Sequence, residues 1–475
     1  MYDHFAITIQ SCFIHGHISE FLLLSTLMPL VKDNMKDICD SKNYRSIAIS
    51  SIIMKLLDLI IINLWGNLLK LDLFQFGFQE KSSTMLCSWM TLEIISSYLS
   101  QGSNVYCCLM DCTKAFDTIK HSILFKKMLE VGCPPILVRL MIFIYWKQTA
   151  DVNWNGQFSE EFFLRNGVKQ GAIISPILFC FYLNDLFKIL KKNKAGCWLN
   201  DHYFGCFGYA DDLLLLAPSR DALQEMVKLS EIYAKEHHIT FSTDIDPEKS
   251  KTKGMVFTPN GKHLEPTKII LNENPLPWVP SAKYLGNKFV NVIDGLHQDT
   301  KEKRAKFIEK NCELIQEFKF SHPEIKSKLN HIYNSSFSGS VLWNHNSENA
   351  NMLYNSWSVS VRHMWDVPVN THRYFVEPLG GPHAKTMIQT RYIKFMQSIN
   401  QTNKPAAKHL YEFIKKNTKT ITGQNIRYIL INTDSDDIMN INTNSVKSKL
   451  HFTGWFYMGV YGCVTTPIKG LYTPS

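Results

Sequence analysis

The stretch Phe207-Gly208-Tyr209-Ala210-Asp211-Asp212 constrains the folding of this chain more than any other. Two adjacent carboxylates sit between two apolar runs, Tyr203-Phe204-Gly205-Cys206-Phe207 and Leu213-Leu214-Leu215-Leu216-Ala217. Short apolar runs bounded by polar residues read as buried strands, and two of them around a tight break read as a hairpin. The aspartates then fall at or beside its tip. Burying one unpaired carboxylate is costly, and two side by side cost more, because like charges disfavour joint ionisation. A divalent cation resolves both problems. The alternative is an ordinary surface turn, where Asp is common, and the pair alone does not choose between them.

A second strand bears on the choice. Val105-Tyr106-Cys107-Cys108-Leu109-Met110 is a continuous apolar run, as in a strand buried on both faces, and it ends at Asp111. If the two strands are neighbours in one sheet, Asp111 converges with the pair. Three aspartates at one sheet end suit two Mg²⁺ about 3.5–4 Å apart, the arrangement for in-line phosphoryl displacement. Mg²⁺ takes few protein carboxylates and completes its shell with water and substrate phosphate.

The rest of the chain supplies a scaffold. A strand is expected over 43–49 with Arg45 at its mouth, then a helix within 50–71 with Ile53, Leu56, Leu57, Ile60, Ile61 and Leu64 on one side. Gln75-Phe76-Gly77-Phe78 breaks that pattern, and Ser83-Thr84 opens a further helix. Helices are expected at 123–131 and 135–146, and a hairpin across Asn155-Gly156. Gly167-Val168-Lys169-Gln170-Gly171 is a loop, and Ser175-Pro176 starts a helix that continues through Leu186. Ser219 is placed to cap another. An amphipathic helix over 300–318 sets Phe307, Ile308, Cys312, Ile315 and Phe318 against a basic face. Residues 346–430 read as helical, with Trp357, Trp365 and Phe395 in a core, and the Asp434-Ser435-Asp436-Asp437 cluster reads as solvated.

The 475 residues, 45% of them apolar, exclude a disordered chain and suggest two to four domains or one multi-lobed unit. A net charge of +9 permits a polyanionic partner without requiring one. The 12 cysteines form no Cys-x-x-Cys pair and no zinc spacing, as expected of reduced thiols in the nucleus or cytoplasm. The longest apolar stretch near the N-terminus, 21–31, is too short to span a bilayer and contains Pro29, so no membrane segment is expected.

Three blocks now stand in order: Asp111 with Ala115-Phe116-Asp117; Gly167-Val168-Lys169-Gln170-Gly171 with Ser175-Pro176-Ile177-Leu178-Phe179; and Phe207-Gly208-Tyr209-Ala210-Asp211-Asp212. Together they resemble the palm motifs of reverse transcriptases, with wording closest to non-LTR (LINE-type) retrotransposons. Asn43-Tyr44-Arg45, Gln75-Phe76-Gly77-Phe78 with Ser83-Thr84, and Lys283-Tyr284-Leu285-Gly286 are similar to the family's flanking blocks. The likeness runs over 27–290 and more faintly to about 400.

The resemblance implies an α+β right-hand polymerase: fingers, a palm with a ferredoxin-like antiparallel sheet, a helical thumb and a helical C-terminal region. On that plan 1–26 are an N-terminal extension, 27–95 fingers, and 96–294 palm with an interleaved fingers segment. Thumb-like helices follow at 295–345, a helical region at 346–432 and a loose tail at 433–475. The implied activity is RNA-directed DNA polymerase, with an RNA template, a DNA primer, dNTPs and two Mg²⁺, for which Mn²⁺ substitutes. No protein partner is implied. Asp111, Asp211 and Asp212 would bind metal, Asp211 more directly than Asp212. Phe116 would be the steric gate against a 2′-hydroxyl, with a core aromatic as the alternative. Gln170, Gly171 and Tyr209 would line the nucleotide pocket. Arg45 and Lys32 would meet the triphosphate, although a plain surface lysine serves equally for Lys32. Lys251 would lie near the leaving group, and Asp117 would be structural.

Two departures carry weight. Ser46 stands where the family usually has proline, and no endonuclease precedes the polymerase segment, as expected of a truncated copy. Two other readings stay open: a decayed copy that only binds nucleic acid, and a group II intron or retron enzyme.

Overall fold

The computed structural model describes residues 2–244, 246, 250–259, 268–291, 296–334, 337–376, 379–417 and 419–443. The chain divides into two units. The first comprises Met1–Cys87, Gln101–Ala282 and Asn403–Ala406; the second comprises Ser88–Ser100, Lys283–Thr402 and Ala407–Ser475. Among the described residues no helix is long and apolar enough to cross a membrane.

In chain order the first unit holds α1 (Tyr2–His15), β1 (Ser25–Val31), β2 (Tyr44–Ser50) and α2 (Ile52–Trp65). Helix α3 (Thr84–Ser100) starts here and continues into the second unit. Then come β3 (Val105–Asp111), α4 (His121–Glu130), α5 (Pro135–Lys147) and β4 (Thr149–Trp154), with the short β5 (Gln157–Phe158) and β6 (Phe162–Phe163). Helices α6 (Ser175–Tyr182) and α7 (Asn184–Asn193) precede a short pair, β7 (Trp198–Leu199) and β8 (His202–Tyr203). The hairpin β9 (Cys206–Tyr209) and β10 (Asp212–Ala217), α8 (Arg220–Glu236) and β11 (Lys253–Phe257) complete the part that positions the site.

Four strands form one antiparallel sheet in the order β11-β3-β10-β9. Counted along the chain that order is fourth, first, third, second. Helices lie between the first and second strands and between the third and fourth, which makes the ferredoxin-like β-α-β-β-α-β arrangement that the resemblance implied. Leu213, Leu214, Leu215, Leu216 and Ala217 of β10 are all buried, as are Cys107 and Cys108 of β3. This continuous burial explains why β10 reads as an apolar run without alternation, while in β3 Tyr106 and Leu109 are half-buried. Helix α8 packs on β10 and β3 through Leu223, Met226 and Val227, and the Ser219 hydroxyl caps it by accepting from the Ala222 N–H.

A second sheet is built on β1, which pairs antiparallel with β2 from Ser25↔Ser50 to Val31↔Tyr44 and parallel with β4. Two expectations change here. In α2 the buried line is Met54, Leu57, Asp58 and Ile61, while Leu56 and Leu64 face solvent. The helix expected to run through Leu186 is two helices, α6 and α7. The break lies at Leu183–Asn184, where the Asn184 side chain accepts from the Asp72 N–H at 2.5 Å and donates to the Lys70 carbonyl at 2.8 Å.

The second unit is helical: α9 (Leu296–Glu317), α10 (Pro323–Asn334), α11 (Glu348–Trp365), α12 (Arg373–Val376), α13 (Ala384–Ile399), α14 (Pro405–Lys415) and α15 (Ile421–Thr433). Its core gathers Phe307, Trp343, Leu353, Trp357, Val361 and Ile388. Trp357 is buried as expected. Trp365 packs at the edge of the core and donates its indole N–H to Ser327 at 2.8 Å. On α9 the buried line is Phe307, Asn311 and Leu314; Ile308 and Cys312 are exposed. The true stripe is thus shifted by about one position from the expected one. Asp437, expected to be solvated, pairs with Lys415 at 2.7 Å and caps a short 3-10 turn, Ile438–Asn440. The expected tail beyond residue 443 lies outside the described residues.

Glu93 of α3 is fully buried in this unit and accepts from the Thr422 hydroxyl at 2.6 Å and the Thr422 N–H at 3.3 Å. Burial pushes its carboxyl up to about 7, outweighing those bonds. The folded chain therefore keeps a proton that the unfolded chain releases near the ordinary value of 4.5. The stability this contributes is full below that value and is lost as pH rises through 7. Glu93→Gln should flatten the slope: melting temperatures near the parent's at pH 5 and several degrees above it at pH 8. An unchanged gap between the two pH values would contradict the assignment.

Candidate active site

The hairpin is as tight as the sequence suggested. Tyr209 pairs with Asp212, so Ala210 and Asp211 form the turn. Across the sheet Asp212 lies directly opposite Asp111 in the register of β10 with β3. The strands that end in aspartate are therefore neighbours, and it is Asp212, not Asp211, that faces Asp111 strand to strand.

Ala210 has a φ of +56°, the left-handed region that costs a residue with a Cβ about 1–2 kcal/mol. A clamp holds it there. Residues 74–77 dock on the end of β9 by mutual backbone bonds: the Phe76 N–H donates to the Gly208 carbonyl at 2.7 Å, and the Gly208 N–H to the Phe74 carbonyl at 2.8 Å. The side chain of Gln75, fully buried, then accepts from the Ala210 N–H and the Gly77 N–H through the same Oε1, both at 2.9 Å. Its Nε2 donates to the Ala210 carbonyl at 3.4 Å. Gly77 must be glycine, because a Cβ there would stand 2.5 Å from the Ala210 nitrogen. The Gln75-Phe76-Gly77-Phe78 break thus fastens the turn that carries Asp211.

The three carboxylates feel one another. Burial first, and then the charge of Asp111, raises the Asp211 carboxyl above its ordinary range. Burial, followed by the charges of Asp211 and Asp111, pushes Asp212 up to about 6. A bound cation would relieve this repulsion, and three carboxylates are hard oxygen donors of the kind Mg²⁺ prefers. The donor set fits such an ion chemically. Its side chains do not close around one as they stand: among the described residues no three His, Cys, Asp or Glu groups gather tightly enough to hold a metal. The neighbouring strands expected from the sequence are present, with Asp111 and Asp212 in register. The Lys251 ammonium lies 3.3 Å from an Asp111 carboxylate oxygen.

Cations face the carboxylates. Burial and then the charges of Lys251 and Arg45 lower the Lys32 ammonium, with Lys114 adding to them, so these four basic groups share one region. Arg45, exposed on β2, acts with Lys251 to pull the Asp211 carboxyl down against its burial. Lys32 donates to the Lys42 carbonyl at 2.8 Å, which folds its side chain onto its own loop.

The Phe116 ring is half-buried and stacked on Phe179, with centroids 5.2 Å apart and planes at 22°. Tyr209 is half-buried beside the turn, and burial raises its hydroxyl. Gln170 gives its backbone carbonyl to the Ala48 N–H of β2 at 2.6 Å. Gly171 has a φ of +121°, and a Cβ on it would strike the Ala48 carbonyl oxygen. The close approach that demands glycine here is to the Ala48 backbone of β2.

That loop is braced by two groups that sequence reasoning missed. Lys169 donates to the Leu23 carbonyl at 2.9 Å and to the Ser25 hydroxyl at 2.7 Å. Asp58, buried in α2, accepts from the Ile173 and Ile174 N–H groups at 3.0 and 3.4 Å, and burial raises it to about 6. A lone aspartate in a largely apolar helical run was the available signal. A cleft of about 1000 Å³ lies apart from the carboxylates, lined by Lys126, Trp146, Phe163 and Arg165 among others.

Comparison with known proteins places these residues in context. The family profile described as reverse transcriptase (RNA-dependent DNA polymerase) matches residues 32–289, more than half of the chain. A retrovirus-related Pol polyprotein from the type-2 retrotransposable element R2DM of Drosophila melanogaster is 24% identical over 253 residues, 52% of this chain and 24% of its own length. One from a type-1 element R2 of Popillia japonica is 27% identical over 212 residues, 44% of this chain and 29% of its own. The RNA-directed DNA polymerase from mobile element jockey of Drosophila funebris is 24% identical over 220 residues, 45% and 22% of the two chains. The matched region thus spans between a fifth and a third of these relatives. A solved telomerase from Candida tropicalis aligns over 95% of this chain and 72% of its own at a TM-score of 0.40 and 10% identity.

Proposed function

Because this chain belongs to the reverse transcriptase family, we propose that it extends a primer 3′-hydroxyl with dNTPs on an RNA template. The fold is the α+β class of the right-hand polymerases. The observation that carries the reading is the pairing of Asp111 with Asp212 across β3 and β10, with Asp211 in the clamped turn beside them.

The family as a whole depends on divalent metal. Asp111, Asp211 and Asp212 would hold it, as two Mg²⁺ ions for which Mn²⁺ substitutes. Bound there, the metal supplies charge neutralisation at the transferring phosphoryl group and acidifies the attacking hydroxyl. The chain's own groups do the rest. Arg45 and Lys32 bind the incoming triphosphate, Arg45 through its planar fork. Lys251 balances charge on the leaving group. Phe116 and Tyr209 bound the sugar and base, and Gln170, fixed to β2 by its backbone, sets the pocket's edge. The basic and aromatic lining of the separate cleft suits a single strand, by stacking and phosphate contact. In this reading the four-stranded sheet is the palm and the β1-β2-β4 sheet the fingers.

The test is primer extension on a primed RNA template with Mg²⁺ and dNTPs. Incorporation that stops on chelation supports the proposal. Salt-sensitive RNA binding without incorporation, beside an active control, would mean a nucleic-acid binder and overturn it.

A further inference from the structure

The stretch Asn403–Ala406 belongs to the first unit although the chain on either side of it belongs to the second. Its Lys404 is 1% exposed. A buried ammonium is costly unless its donors are satisfied, and here three acceptors meet it. The Nζ donates to the Leu73 carbonyl at 2.9 Å, the Gln75 carbonyl at 2.5 Å and Gln79 Oε1 at 3.0 Å. The ammonium also lies 4.8 Å from the centre of the Phe76 ring, within cation–π range. An apolar side chain would fill the same space at lower desolvation cost. What the ammonium adds is direction, because its three donors use three acceptors from one seven-residue turn.

That turn is the one whose Gln75 side chain holds Ala210 in the left-handed conformation. A chain of contacts therefore runs from Lys404 to Gln75, from Gln75 to Ala210, and along the backbone to Asp211. Lys404 lies outside the segment that matches the family profile. We propose that Lys404 is a positioning residue: it locks the 73–79 turn so that Gln75 fixes Ala210 and thereby aims the Asp211 carboxylate. It touches neither substrate nor the carboxylates. The inference rests on the reading of Asp211 as a metal-binding residue of the polymerase.

The test compares Lys404→Met, Lys404→Gln and Lys404→Arg in the full chain, with the exposed Lys408→Met as a control expected to behave as the parent. Two readouts are taken: Mn²⁺ affinity by electron paramagnetic resonance without nucleic acid, and primer extension as a function of Mg²⁺ and dNTP. Loss of the lock should weaken Mn²⁺ binding about fivefold and lower kcat about 10- to 100-fold, the scale of an ångström-level misplacement. The dNTP KM should change little, and Lys404→Arg should restore most of the loss. If Lys404→Met or Lys404→Gln melts like the parent and keeps its Mn²⁺ affinity and kcat, the proposal is overturned. It is overturned too if all three variants fail to fold, since the lysine is then structural. A parent that binds Mn²⁺ in a Lys404-dependent way yet incorporates nothing would sink the polymerase reading alone.

Discussion

Asp211→Ala should lower primer extension by a factor of at least about 10³, the scale for removing a group that stabilises charge at the reacting centre. The same change should leave the melting temperature unchanged or raise it at neutral pH. The activity loss follows from the metal-binding role proposed for Asp211, and the stability outcome from its setting: burial and the Asp111 charge hold the Asp211 carboxyl above its ordinary range. A carboxylate so placed costs the fold free energy in its ionised form, and alanine removes that cost. The paired readout separates catalysis from folding, since a residue needed only for structure would lose activity and stability together. Asp212→Asn should be milder, with its partner across the sheet still in register. An unchanged extension rate in Asp211→Ala would refute the assignment of the triad.

Phe116→Val should raise incorporation of ribonucleotides relative to deoxyribonucleotides by about 10²-fold, the scale on which a pocket discriminates one hydroxyl. The argument is steric: a ring that occupies the space of the 2′-hydroxyl rejects the substrate that carries it. Phe116 also stacks on Phe179, so the variant should lose roughly 1–2 kcal/mol of stability along with the aromatic contact. The competing explanation, that the ring only completes the core, predicts the stability loss with no change in the nucleotide ratio. Competitive incorporation at matched triphosphate concentrations decides between them.

The hairpin and the strand ending at Asp111 were legible because their signals are local: apolar runs, a tight break and a terminal carboxylate, each within a dozen residues. Their adjacency was legible only as a condition, and the register settled it. What the sequence did not show is what depends on distant partners. Gln75 and Ala210 are 135 residues apart, and Lys169 and Leu23 are 146 apart. The buried stripes of α2 and α9 misread for a related reason. Apolar residues there exceed the buried face, and neighbouring elements choose which of them are covered, so Asp58 and Asn311 are buried while Leu56 and Ile308 are not. Gly171 shows the limit from the other side: nothing near it in the sequence pointed to the Ala48 backbone that its missing Cβ admits.

The bond from Lys404 to Gln75 spans 329 residues. During synthesis at roughly 5–20 residues per second, the lysine emerges on the order of 16–66 seconds after its acceptors. Once residue 217 has been made, and until residue 404 follows, the nascent chain has its aspartate-bearing hairpin but not the last tie of the turn that steadies it. All of the second unit's Lys283–Thr402 stretch must be made in between. The order of translation therefore makes the tie a late event in maturation, and a ribosome that stops before residue 404 releases a polymerase sheet whose turn has no lock.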